Sequence, residues 1–360
     1  MCRSAIFRAC LASGALTLAA CGGTTSPTQV TSPVPVAIVA DPPKITCPAP
    51  QSAQSPDGSA AAVTYTAPTV ANGQSPVTTT CTPSAGSSFT VGQRIVTCTA
   101  TDALQRTDTC SFLVTVLDPP KLAATSFLAF GDSITAGEDG QNSTAPSLSL
   151  MASRFHPSVL FPSSQRYPQE LQQELAAHYK TQFPAVDNQG VPGEAANDPA
   201  TFGRFTTLTS TRKYTVALIM EGTNDLYDRD DRIVPFAIGA LRSMIRDAKG
   251  RSIRPYLATI PPMNPSACVP VCRGLAWSLV PGFNDSVRAL ALTEGVTLVD
   301  VNQAFGTDLS LLGPDGLHPS SAGYQKIADL FYKTIQQTLE TSAASTTGVR
   351  TLIPRSSARR

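Results

Sequence analysis

The sequence predicts a doubly wound α/β domain built on a parallel sheet and preceded by a small β-sandwich. Three observations carry that prediction. After Asp118-Pro119-Pro120 the chain alternates short aliphatic runs, little interrupted by polar residues, with stretches whose apolar residues recur at helical spacing. That alternation marks strands buried on both faces and the helices that cover them. Before the proline pair, residues 44–117 show short alternating β patterns punctuated by Pro, Gly and Asn. In Val96-Thr97-Cys98-Thr99-Ala100 the apolar and cysteine positions share one face, and Cys110 points the same way as Phe112, Val114 and Val116. Inward-facing cysteines on neighbouring strands fit a sandwich stapled by disulfides.

The elements follow in order. Strands are predicted at Phe127–Phe130, Ala185–Asn188, Thr215–Met220, Pro255–Ile260 and Val296–Val301. Helices are predicted at Pro168–Tyr179, Ile233–Ala248, Phe283–Thr293 and Ser321–Leu339. In the first of these, Leu171 and Leu175 form an apolar stripe and Pro168 suits the first turn. The organisation read from these patterns is a leader at 1–20, a flexible tether at 21–43, the sandwich at 44–118, the α/β domain at 122–340 and a polar, disordered tail at 341–360.

At 360 residues the chain is long enough for about two domains. Charged residues make up 15 % and the formal net charge is +1, which argues against nucleic acid as a partner. Arg3 and Arg8 precede an apolar stretch, Ala9 to Ala20, that is too short to span a membrane and reads as an export signal. Leu18-Ala19-Ala20-Cys21-Gly22 resembles the bacterial lipoprotein cleavage box. The resemblance implies removal of residues 1–20, a lipid on Cys21 and a place in the cell envelope, with simple secretion as the alternative. Of nine cysteines, six then remain: Cys47, Cys81, Cys98, Cys110, Cys268 and Cys272. An even number in an exported chain suggests disulfides; four in the sandwich allow three pairings, and Cys268 with Cys272 would close a small loop. No histidine lies near that last pair, so zinc is not expected, nor is any other cofactor.

Polar residues beyond the carboxyl ends of parallel strands converge on one crevice. Strand one leads into Gly131-Asp132-Ser133, strand two into Asn188-Gln189-Gly190-Val191-Pro192-Gly193, and strand three into Glu221-Gly222-Thr223-Asn224-Asp225; Asp315-Gly316-Leu317-His318 follows strand five. A serine hydroxyl needs a base to become a nucleophile at neutral pH. Three histidines are available. His178 falls on a helix beyond Leu175 and reads as a packing or rim residue, while His156 lies in a loop that borders the substrate entrance. His318 has Asp315 three residues away across a glycine turn, so one loop sets a carboxylate against an imidazole. Asp132 and Asp225 read as loop-fixing residues and Asp300 as structural. No Gly-x-Ser-x-Gly elbow occurs.

These four blocks, in this order, resemble the SGNH (GDSL) hydrolase family over about residues 123–340. The resemblance implies a flavodoxin-like parallel sheet with helices on both faces. It implies carboxylic ester hydrolysis through an acyl-enzyme, with Ser133, His318 and Asp315 as the triad. The family pattern assigns the oxyanion donors to Ser133 N–H, the Asn224 amide and a glycine N–H, Gly193 or Gly190, with Gly193 favoured because it closes the block that opens with Asn188. Residues 44–118 resemble the hyalin repeat (HYR), an immunoglobulin-like module, through Cys47-Pro48, Val63-Thr64-Tyr65-Thr66-Ala67-Pro68, Gly86-Ser87-Ser88-Phe89, Val91-Gly92, Val96 to Asp102 and Cys110-Ser111-Phe112. That likeness implies a spacer or adhesion role with cell-surface or glycan contact. The expected partners are an ester substrate (lipid, small ester or acetylated glycan) and a membrane reached through Cys21. The alternatives are a polysaccharide O-acetylesterase and a non-catalytic surface adhesion protein on a hydrolase fold. Glu138–Arg166 and Met263–Val280, the latter with Trp277, are long enough to border the pocket.

Overall fold

The structure, a computed structural model, describes residues 40–140, 160–226, 231–267 and 276–341. Cys21, His156, the Cys268–Cys272 pair and the tail from residue 342 onward lie outside the described residues.

The first region is strand-rich. It comprises β1 (Lys44–Thr46), β2 (Gln51–Gln54), β3 (Ala61–Ala62), β4 (Thr69–Ala71), β5 (Thr78–Thr82), β6 (Ser88–Phe89), β7 (Gly92–Thr101) and β8 (Thr107–Leu117). A four-stranded sheet runs in the order β2-β8-β7-β5, and β1 with β4 and β3 with β6 form two-stranded ribbons. Alternation along β7 and β8 turns Val96, Cys98, Ala100, Phe112, Val114 and Val116 inward, where Ile45, Val63 and Phe89 meet them. Of the three pairings open to its cysteines, the chain adopts Cys47–Cys110 and Cys81–Cys98.

The second region opens with β9 (Lys121–Leu122), β10 (Ser126–Gly131), α1 (Ser133–Ala136), α2 (Tyr167–His178), β11 (Ala185–Gly190), α3 (Pro199–Thr211) and β12 (Val216–Met220). It continues with α4 (Val234–Gly250), β13 (Arg254–Ala258), α5 (Val280–Glu294), β14 (Thr297–Val299), α6 (Val301–Phe305), α7 (Ser321–Leu339) and β15 (Glu340–Thr341). Its main sheet has the order β11-β10-β12-β13-β14, and every pairing in it is parallel. This is the doubly wound, flavodoxin-like arrangement that the sequence predicts.

Side chains of the central strands alternate between two cores. Leu128, Phe130, Ala217, Ile219 and Leu257 face α3, α4 and α5. Phe127, Ala129, Val216, Leu218, Met220 and Tyr256 face α2 and α7. The register fixes the site, because Gly131 lies level with Gly190 on one neighbour and Met220 on the other. The residues that follow all three therefore emerge at one edge of the sheet.

Helices α1, α3 and α6 stand outside the predicted elements, and one predicted strand ends early. Helix α3 was not predicted: its composition is rich in threonine, a weak helix former, and Asp198 caps it ahead of Pro199. The expected strand Val296–Val301 stops at Val299, because Asp300 accepts from Gln303 N and starts α6.

Candidate active site

Ser133 is the first residue of α1, immediately beyond β10. Asp132 caps that helix by accepting from Ile134 N at 2.9 Å, and so fixes the turn that presents the serine. Gly131 is required there, since a Cβ would lie 2.3 Å from Met220 O. Gly190 is required too, because its Cβ would meet Ala136 N at 2.1 Å.

His318 reaches this point from the far end of the chain. Its Nε2 is 2.8 Å from Ser133 Oγ, and its Nδ1 is 2.6 Å from Asp315 Oδ2. With Nδ1–H donating to Asp315, Nε2 is left to accept from the Ser133 hydroxyl. Asp315 Oδ1 accepts from Leu317 N and His318 N, each at 3.0 Å, so the loop closes on its own carboxylate. Burial alone would raise the Asp315 carboxyl; the hydrogen bond and charge of His318 outweigh it and hold Asp315 below its ordinary value. Ser320 then caps α7 by accepting from Gly323 N, which anchors the loop. All three side chains are buried.

The turn after β12 and the segment after β11 are tied to each other. Asn224 Nδ2 donates to Glu194 O at 2.8 Å, and Asp225 accepts from Ala196 N at 2.7 Å and Asn197 N at 2.9 Å. Arg204 pairs with both Glu194 oxygens, donates to Gln189 O and lies 4.0 Å over the Phe130 ring. Gly190 N–H is committed to Asn188 Oδ1 at 3.0 Å. Gly193, at φ +79°, has open space around its Cβ position.

Below this edge lies a group of buried acids. Burial pushes Asp132 up to about 6, against the Ile134 N–H and the Thr223 hydroxyl. Glu221, fully buried, is raised well above its ordinary value by burial and then by the charges of Asp132 and Glu194. Glu138 is buried, with Oε2 at 3.4 Å from His318 Nε2.

The other sequence-stated residues fall elsewhere. His178 ends α2, with Nε2 3.4 Å from Glu340 Oε2 and its ring edge-on to Tyr179, as a rim residue should be. Asp300 caps α6 and pairs with Arg288 at 2.7 Å. Trp277 is half exposed in a short 3₁₀ turn. Sequence reading missed Glu138, Glu194 and Arg204. The glycines that flank Glu138 at 137 and 140 were the available signal for a turn, but nothing local says that the turn closes on His318.

The model of the GDSL-like lipase/acylhydrolase family matches residues 129–326, which span Ser133, Asn224, Asp315 and His318. The chain belongs to that family. It is therefore a carboxylic ester hydrolase, and residues 40–116 match the HYR domain. Among solved structures, the chain is similar to the carbohydrate acetylesterase Est24 from Sinorhizobium meliloti, at 19 % identity over 59 % of this chain and 98 % of that one, TM-score 0.47. A lipase/acylhydrolase from Enterococcus faecalis is 22 % identical over 59 % and 96 % of the two chains, TM-score 0.46. The inhibitor-bound aryl esterase of M. smegmatis is 20 % identical over 59 % and 99 %, TM-score 0.47. No curated protein matches the chain.

Proposed function

We propose that this GDSL hydrolase cleaves carboxylic esters through a covalent acyl-enzyme on Ser133. The observation that carries the reading is the continuous line Ser133 Oγ, His318 Nε2, His318 Nδ1, Asp315 Oδ2, with steps of 2.8 Å and 2.6 Å at its two ends. As Ser133 Oγ attacks the ester carbon, its proton passes to Nε2 and the carbonyl electron pair moves onto oxygen. Ser133 N–H, Gly193 N–H and the Asn224 amide receive that oxyanion. Gly193 is preferred to Gly190 because Gly190 N–H already serves Asn188. Collapse breaks the bond to the alcohol, which takes the proton from Nε2 as it leaves. Water then attacks the acyl group by the same route and restores Ser133.

The Asn224 amide has two hydrogens, and one is held by Glu194 O. That bond fixes the amide before the reaction begins, and a donor held in advance is the condition for effective oxyanion stabilisation by the second hydrogen. Steady-state assays with esters graded from acetyl to long-chain acyl, together with acetylated polysaccharides, test the reading and name the substrate class. Wild-type protein should turn over at least one ester series, and Ser133→Ala should lose that activity by about 10³-fold or more. Full activity in Ser133→Ala would place the nucleophile elsewhere.

A further inference from the structure

The segment that leaves the nucleophile helix comes straight back over the histidine. Gly137 terminates α1 in the left-handed conformation, at φ +90°. Glu138 N–H then donates to Ser133 O at 3.0 Å, and Tyr324, from α7, donates its hydroxyl to Glu138 O at 2.7 Å. Glu138 also makes a β-bridge with Leu160. A backbone held from three sides leaves the side chain little freedom. Its carboxylate is buried, with Oε2 3.4 Å from Nε2 of His318, the nitrogen that faces Ser133. Asp315 holds the opposite nitrogen.

Two carboxylates on one buried imidazole are more than orientation requires, since Asp315 alone sets the tautomer. The geometry points to Glu138 as an electrostatic partner of the reacting nitrogen, whose negative charge stabilises the imidazolium that forms when Nε2 takes the Ser133 proton. The inference rests on the acyl-enzyme reading above. While Nε2 carries only a lone pair, a carboxylate beside it gains nothing from the contact. Once the Ser133 Oγ–H bond has broken and Nε2 holds the proton, the same carboxylate faces a cation. The interaction is therefore stronger in the transition state than in the ground state, which is what lowers a barrier. The proton leaves again with the departing alcohol, and Glu138 itself neither gains nor loses one.

Removing the charge while keeping the shape tests this. Glu138→Gln should lower kcat for an activated ester on the order of tenfold, with KM changed by less than about twofold, because the lost interaction exists only after proton transfer. The acid limb of the kcat/KM profile should also move to lower pH, since less charge then favours the protonated ring. Among the described residues, the groups placed against His318 are Asp315 on its own loop, Asp132 and Ser133 at the head of α1, and Glu138 after it, while Tyr324 on α7 meets Glu138 O. Asp132 is raised to about 6 and lies near the His318 charge, so Asp132→Asn is run in parallel to separate its contribution. If the amide variant does not fold, Glu138→Leu removes the same charge without a polar group to bury and should give the same two changes. Wild-type kcat and an unmoved profile in a folded, uncharged variant would overturn the inference. Ser133→Ala and His318→Ala distinguish the two failures. If these are inactive while the Glu138 variant is normal, only the role of Glu138 falls; if Ser133→Ala remains active, the acyl-enzyme reading falls with it.

Discussion

A methyl group on Gly140 would lie 2.7 Å from Asp315 Oδ1 and 2.9 Å from its Cγ. The backbone there is at φ +68°, a conformation that suits glycine. Gly140 therefore lets the chain pass directly against the carboxylate that orients His318, and the contact keeps that carboxylate in place. Gly140→Ala should cost about 1–3 kcal/mol of stability from backbone strain. It should also lower kcat by about tenfold or more as Asp315 is displaced. Ester kinetics beside thermal unfolding check both, and a stable variant with wild-type kcat would refute the contact's role. Ser133, Asn224, Asp315 and His318 were legible in the sequence because each sits in a short block just beyond a strand or ahead of a helix. Glu138 and Gly140 were not legible. Their roles come from the path of a turn between two glycines, and no spacing rule reports where such a turn lands.

Helices α2 and α7 pack through Tyr167 stacked on Phe331, with ring centroids 5.4 Å apart. The same contact also brings acids together. Burial raises Glu170 to about 7, with Asp329 adding to the shift. Glu174 is likewise raised to about 7, by burial and then by its hydrogen bond and charge repulsion with Asp329. Gln325 donates to Glu174 at 2.6 Å and to Asp329 at 2.8 Å, which relieves only part of the repulsion. The ordinary glutamate value is 4.5, so in the window from there to about 7 the folded protein binds more protons than the unfolded chain. Stability contributed by these groups is present below 4.5 and lost as pH rises through about 7. Glu174→Gln keeps an acceptor for Gln325 and removes the charge. Its melting temperature should exceed the wild type's at pH 8 and approach it at pH 5. Equal differences at the two pH values would contradict this. The apolar stripe of α2 and the length of α7 were readable, since Leu171 and Leu175 recur at helical spacing and Ser320 stops the chain before the last helix. Helix α3, the longest of the unpredicted helices, buries Thr201, Phe205, Leu208 and Thr209. Two of its inward positions are threonines, so hydropathy alone does not reveal its buried face. Asp198-Pro199, a capping residue followed by a proline suited to the first turn, was the signal that stood in the sequence.

On the scale of the whole chain, the apolar clusters of residues 45–116 and of residues 122–339 are separate. The first is small and carries two disulfides, Cys47–Cys110 and Cys81–Cys98, as expected where a module is too small for a large core. The second has a parallel sheet covered on both faces, and its chemistry gathers at one edge because the register aligns Gly131, Gly190 and Met220. The architecture was legible because buried parallel strands leave near-continuous aliphatic runs, whereas cysteine pairing was not, since three combinations satisfy the same spacing. Ester cleavage at this edge requires that Ser133 be a nucleophile activated by His318. Treating the full chain with a fluorophosphonate and mapping the modified peptide measures this directly, because Oγ displaces fluoride at phosphorus and stays covalently marked. A single adduct on Ser133, formed at least about 100-fold more slowly in His318→Ala, is the predicted result. An adduct on another residue, or labelling of Ser133 at the same rate without His318, would contradict it.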